Sequence, residues 1–224
     1  MREAYQSDLR HVVEDLVHMA SLVENAIRDA STALATGDLA LAERVIAADM
    51  TIDQRQIDLD EKIVEMLARQ APVATDLRLL VAALRMSSSL ERMGDLAEHV
   101  ALSARRRYPD LVVPEQHREA LATMAELVVQ GVIDAATVIQ ERDLALAGLV
   151  ERRDSEIDAI QSELYRAVTR ADDLGTEQVM DLILLGRYYE RLGDHAVSLV
   201  RRVAFLVTGE AIDAHSPVTD VPEV

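Results

Sequence analysis

The 224-residue sequence contains no cysteine and no tryptophan. Disulfides, thiolate metal sites and cysteine nucleophiles are therefore excluded. Aromatics are limited to five tyrosines and Phe205. The core must be aliphatic, and a stacking platform for bases or sugars is not expected. Eight glycines and five prolines leave few chain breaks, so the chain is expected to be mostly helix. Positive charge is scarce too: Lys and Arg total 23 against 40 Asp and Glu, a net charge of −17. Such a surface repels polyanions, which excludes a basic nucleic-acid binder. Uncharged stretches are short against the ~20 apolar residues a membrane span needs, so no bilayer crossing is expected. The opening MREAYQSDLR carries acids and no apolar segment, which points to no signal peptide and a cytoplasmic location. Lys62, the sole lysine, reads as genome composition.

What is present is a duplication. Asp38-Leu39-Ala40-Leu41-Ala42 recurs as Asp143-Leu144-Ala145-Leu146-Ala147, an offset of 105 residues. Further on, Glu91-Arg92-Met93-Gly94-Asp95 recurs as Glu190-Arg191-Leu192-Gly193-Asp194, at an offset of 99. The chain therefore divides into two units, residues 1–108 and 113–208, and 210–224 is expected to be a disordered acidic tail.

Each unit reads as three helices. In the first, Leu9, Val13, Leu16, Ala20, Val23 and Ile27 form an apolar seam at steps of three and four. Gly37-Asp38 ends that helix and caps the next, Pro72 breaks the second, and Thr75 or Asp76 can cap a third that Tyr108-Pro109 stops. Arg105, Arg106 and Arg107 complement the dipole at its C-terminus. The second unit predicts helices near 115–141, 143–171 and 176–208. The expected architecture is all-α: two tandem, symmetry-related three-helix bundles, packed side by side or end to end.

Carboxylates interrupt these amphipathic patterns. Glu91 and Asp95 take helical phases that earlier turns fill with apolar residues, and Glu190 and Asp194 repeat this. Asp49/Asp53 and Asp154/Asp158 add two more pairs at i and i+4. Four like-charged pairs each destabilise a helix unless a cation compensates, and all-oxygen donor sets suit Mg²⁺, Mn²⁺, iron or Zn²⁺. The alternative is a set of solvated acidic faces. Gly94 and Gly193, each one residue before the second acid, suggest close approach by a backbone, an ion or a ligand. Arg92 and Arg191 read as partners of acids on a neighbouring helix, or as holders of a ligating carboxylate. His99 and His195 are auxiliary ligand candidates, whereas Asp8/His11 and Asp15/His18 read as a solvated face.

The doubled E-R-[ML]-G-D motif, the two D-x-x-x-D pairs and the segment Gln70-Ala71-Pro72-Val73-Ala74-Thr75-Asp76-Leu77-Arg78 resemble the PhoU family of bacterial phosphate-signalling regulators over about residues 5–208. The resemblance implies a non-enzymatic adaptor between the ATPase of a phosphate ABC transporter and a sensor histidine kinase, approaching the membrane only through those partners. It also implies metal at Glu91, Asp95, Glu190, Asp194, Asp49, Asp53, Asp154 and Asp158. Strict symmetry fails at Glu98, where the second copy has Val197. The competing readings are a di-metal carboxylate oxidoreductase and a metal-storage bundle; against the former, neither motif has a His three residues after its Glu. Long exposed helix faces make a homodimer plausible.

Overall fold

A computed structural model describes residues 2–209; the expected disordered tail, 210–224, lies outside them. Six helices account for nearly all of it: α1 (Arg2–Thr36), α2 (Leu39–Gln70), α3 (Ala74–Arg107), α4 (Arg118–Glu141), α5 (Leu144–Val168) and α6 (Thr176–Thr208). A 3₁₀ turn, Glu115–His117, leads into α4. At 35 residues, α1 is about 50 Å long.

Local chemistry sets most boundaries. Gly37 closes α1 at φ +69°, and the Asp38 carboxylate accepts from the Leu41 amide at 2.9 Å to start α2. Asp143 does the same for Leu146 at 3.0 Å, but the residue before it is Arg142, at φ +60°. Neither Thr75 nor Asp76 caps α3. That helix begins at Ala74 behind an extended Val73 that makes no side-chain cap. Helix α5 ends at Val168, short of the expected 171.

Helices α1, α2 and α3 pack on one another, as do α4, α5 and α6. The two triplets lie side by side, α1 against α4 and α3 against α6. On α1 the buried ridge is Val12, Leu16, Met19, Val23 and Ile27; Val12 is fully buried and Val13 packs half-buried at the edge of the core. The buried aliphatic residues of both triplets form one continuous core. At its middle, the fully buried Tyr189 meets Ser31 of α1, hydroxyl to hydroxyl at 2.9 Å. The stretch Glu115–Glu141 is long and apolar enough to span a membrane; 56% of its apolar 18-residue window is buried, and α4 packs against α1, α5 and α6 as a core helix.

The basic end of α3 does more than complement a dipole. Arg106 and Arg107 both bind Asp181 of α6, which is only 4% exposed, and Arg107 also reaches Glu177 at 2.6 Å. Arg105 lies 3.5 Å from Glu43. Lys62 likewise has a structural task, since its Nζ lies 2.7 Å from Asp15 and ties α2 to α1. His11 and His18 are exposed.

Candidate functional site

The repeated acids meet in pairs of helices. In the first bundle, α2 presents Asp49 and Asp53, and α3 presents Asp95 from the facing turn. One carboxylate oxygen from each of the three lies within 4.8 Å of the other two. Glu91 stands one turn earlier on α3 and Glu98 one turn later, both half-buried. Burial and the charges of Asp53, Glu98, Asp95 and Glu91 push the Asp49 carboxyl up to about 7. Glu91 is also raised, first by burial, then by Asp95.

The second bundle repeats the electrostatics but, among the described residues, not the three-oxygen set. Burial, then Asp158, Asp194 and Glu190, push the Asp154 carboxyl up to about 7. Asp158 and Glu190 are raised as well, in each case first by burial and then by Asp194. Asp154 Oδ1 and Glu190 Oε2 are buried with no hydrogen-bond partner among the described residues. Unpartnered carboxylate oxygens among like charges are what a cation fits, since it would satisfy an oxygen and relieve the repulsion. The three-oxygen set at Asp49, Asp53 and Asp95 fits the same description. A hard divalent ion bound there would hold α2 to α3, or α5 to α6, through carboxylate oxygens.

The motif glycines are explained by these acids. A Cβ on Gly94 would lie 3.0 Å from Asp49 Oδ1 and 3.0 Å from Ile52 Cδ1. On Gly193 it would lie 2.5 Å from Asp154 Oδ1 and 3.1 Å from Ile157 Cδ1. What approaches each glycine is the aspartate of the neighbouring helix, so the glycine and the D-x-x-x-D pair are two halves of one contact.

Other expectations need correction. Arg92 does not reach a neighbouring helix; its Nη1 lies 2.9 Å from Asp95 and its Nε 3.5 Å from Glu91, bracing its own motif. In the second copy that task passes to Arg187, which pairs with Glu190, while Arg191 is exposed and makes no ion pair among the described residues. His99 is turned to its own helix, with Nδ1 2.6 Å from the Asp95 carbonyl oxygen and its ring against Tyr188 at 5.4 Å. Burial, then Arg191, holds His195 below the usual imidazole range. The Arg153–Asp134 pair that joins α5 to α4 had no signal in the sequence, because its positions in the first copy are Ala48 and Asp29.

Fold and site together define an all-helical protein of two repeated three-helix bundles, each with an acid cluster where its second and third helices face. The PhoU domain family matches the chain twice, over residues 16–104 and 121–203. The chain belongs to the PhoU family. It is 39% identical to the phosphate-specific transport system accessory protein PhoU homolog 1 of Mycobacterium leprae, over 93% of this chain and 95% of that one. It is 38% identical to PhoU homolog 2 of Mycobacterium tuberculosis, over 93% and 99%. The crystal structure of PhoU from Pseudomonas aeruginosa superposes with a TM-score of 0.86 at 30% identity, covering 92% of this chain and all of the other. A Streptococcus pneumoniae PhoU structure, at 24% identity and a TM-score of 0.84, shares the fold.

Proposed function

We propose that this chain regulates phosphate uptake and phosphate-starvation signalling without catalysing a reaction, as a cytoplasmic adaptor between the ATPase of a phosphate ABC transporter and a sensor histidine kinase. The names of its relatives place those proteins in a phosphate-specific transport system, which supports the setting. The acid clusters are proposed to bind iron, Mg²⁺, Mn²⁺ or Zn²⁺, bracing the helix pairs that present the docking faces. The unit boundaries 1–108 and 113–208 and a homodimeric state complete this reading.

The observation that carries the adaptor role is an apolar stripe on the outer face of α2. Met50, Ile57 and Val64 follow at intervals of seven, 75%, 47% and 58% exposed. Seven residues are close to two helical turns, so the three share one face, as a surface that receives another helix requires. The corresponding residues of the second copy are Ser155, Ser162 and Thr169, so one bundle carries the stripe and the other does not.

Tagged protein recovered from phosphate-replete cells should bring the transporter ATPase and the kinase with it. Ile57→Asp combined with Val64→Asp should release at least one of them while helical content stays unchanged, because both side chains are already exposed. Retention of neither partner by the unaltered protein, or O₂ reduction by metal-loaded protein that Asp95→Asn abolishes, overturns the reading in favour of a metal-storage or di-metal redox bundle.

A further inference from the structure

Between the N-terminal half of α3 and the C-terminal half of α6 runs a groove of about 820 Å³, walled by Val81 and Phe205 and carrying Arg78, Arg85, Arg201 and Arg202. Arg201 donates from Nε to Glu151 at 2.8 Å. Arg78, Arg85 and Arg202 pair with no carboxylate among the described residues, in a chain whose net charge is −17. Among the described residues, Arg78 Nε and Arg202 Nε are buried with no hydrogen-bond partner, and Arg78 makes one side-chain hydrogen bond, at 3.3 Å to Thr75 Oγ1. Burial and the neighbouring Arg85 charge hold the Arg202 guanidinium below its ordinary range.

The other end of the same helix pair shows what such arginines require. Helices α3 and α6 run antiparallel, so the end of α3 meets the start of α6. There Arg106 and Arg107 converge on the buried Asp181. At the repeat offset of 99, Asp181, Arg106 and Arg107 correspond to Ala82, Phe205 and Leu206, and Ala82 and Phe205 line the groove. That whole ion-pair cluster is apolar in the groove, whose arginines come from other positions and have no equivalent of Asp181.

We propose that this groove is an anion site for a phosphate group, whose oxygens take the place beside Arg78, Arg85 and Arg202 that Asp181 holds beside Arg106 and Arg107. Guanidinium forks match tetrahedral oxyanions by paired N–H···O bonds, and the apolar flanks of Val81 and Phe205 strengthen them by thinning the water. Asp154 and Asp194 line the groove as well, two carboxylates against four guanidinium groups, so the lining keeps an excess of positive charge. The inference concerns binding by the chain alone and stands whether or not the adaptor reading holds.

The test is calorimetric titration of the full chain, stripped of metal with chelator, with inorganic phosphate and separately with ADP. One site per chain is expected, weakened about tenfold or more by Arg85→Gln and by Arg202→Gln and unchanged by Arg152→Gln on the exposed face of α5. Ala82→Asp, which puts a competing carboxylate into the groove, should abolish it. Arg85 is exposed on a helix, so its variant keeps the test valid if a change at the more buried Arg202 disturbs folding. Saturation by phosphate identifies the free anion, and saturation by ADP alone identifies a phosphate carried on a larger molecule; either supports the site. Failure of both probes at millimolar concentration, or binding indifferent to Arg85→Gln and Ala82→Asp, overturns it.

Discussion

A buried carboxylate among other carboxylates stores repulsion that either a proton or a cation relieves. Asp49 and Asp154, both raised to about 7 from 3.8, bind protons in the folded chain that they have lost in the unfolded chain between those values. Their effect therefore favours folding least above pH 7, and the stability they withhold returns as pH falls toward 4. In chelator, Asp49→Asn and Asp154→Asn should each raise stability at pH 8, by on the order of 1 kcal/mol once solvent screening is allowed for, and change little at pH 4.5. Thermal melts across that range check it. With Mn²⁺ present the sign should reverse, because the cation needs the ionised form.

The glycines act at the same scale. Alanine in a helix interior normally gains about 1 kcal/mol over glycine. At Gly193 the added methyl would sit 2.5 Å from Asp154 Oδ1, which forces the aspartate or its helix to move. Gly193→Ala should therefore lose about 1–2 kcal/mol in urea unfolding instead of gaining. Gly94→Ala, at 3.0 Å, should lose less.

At the scale of the element, the duplication is strict where a cap demands it and loose elsewhere. Asp38 and Asp143 cap their helices in the same way, but the left-handed position before them is glycine in one copy and Arg142 in the other. A side chain at φ +60° costs about 1 kcal/mol that glycine does not. Arg142→Gly should therefore raise the melting temperature by a few degrees, which calorimetry can measure. The arginines at the ends of α3 show the same looseness. Arg106 and Arg107 are satisfied by Asp181, and the counterparts of all three are apolar, Phe205, Leu206 and Ala82, so a whole ion-pair cluster is present at one end of the helix pair and absent at the other.

For the molecule as a whole, the shared core matters more than the division into units. Faces of α1 and α3 that the first bundle leaves open are covered by α4 and α6, and Tyr189 joins Ser31 across the seam. Unfolding should be a single cooperative transition, followed alike by circular dichroism and tyrosine fluorescence. A fragment of residues 1–112 should be poorly folded or self-associate, because it exposes that seam. Two separate melting steps in the full chain would contradict a continuous core.

Much of the fold and the location of the acids are legible in the sequence because they rest on short-range chemistry. Seven-residue seams, Gly-Asp junctions and proline stops act within a turn or two, and a pair of acids at i and i+4 shares a helix face in any fold. The self-match at offsets 105 and 99 carried the rest of the architecture. Long-range facts were not legible. No spacing shows that the approach at Gly94 is by Asp49, that Lys62 meets Asp15, or that Arg106 and Arg107 close on Asp181. The sequence by itself determined six helices, their repeat and which faces bear acids. Only the tertiary structure decided that the bundles lie side by side, that the acids of neighbouring helices converge, and which arginines keep a carboxylate partner. Helix periodicity records what each turn buries, whereas the register between helices is set by packing across the whole core.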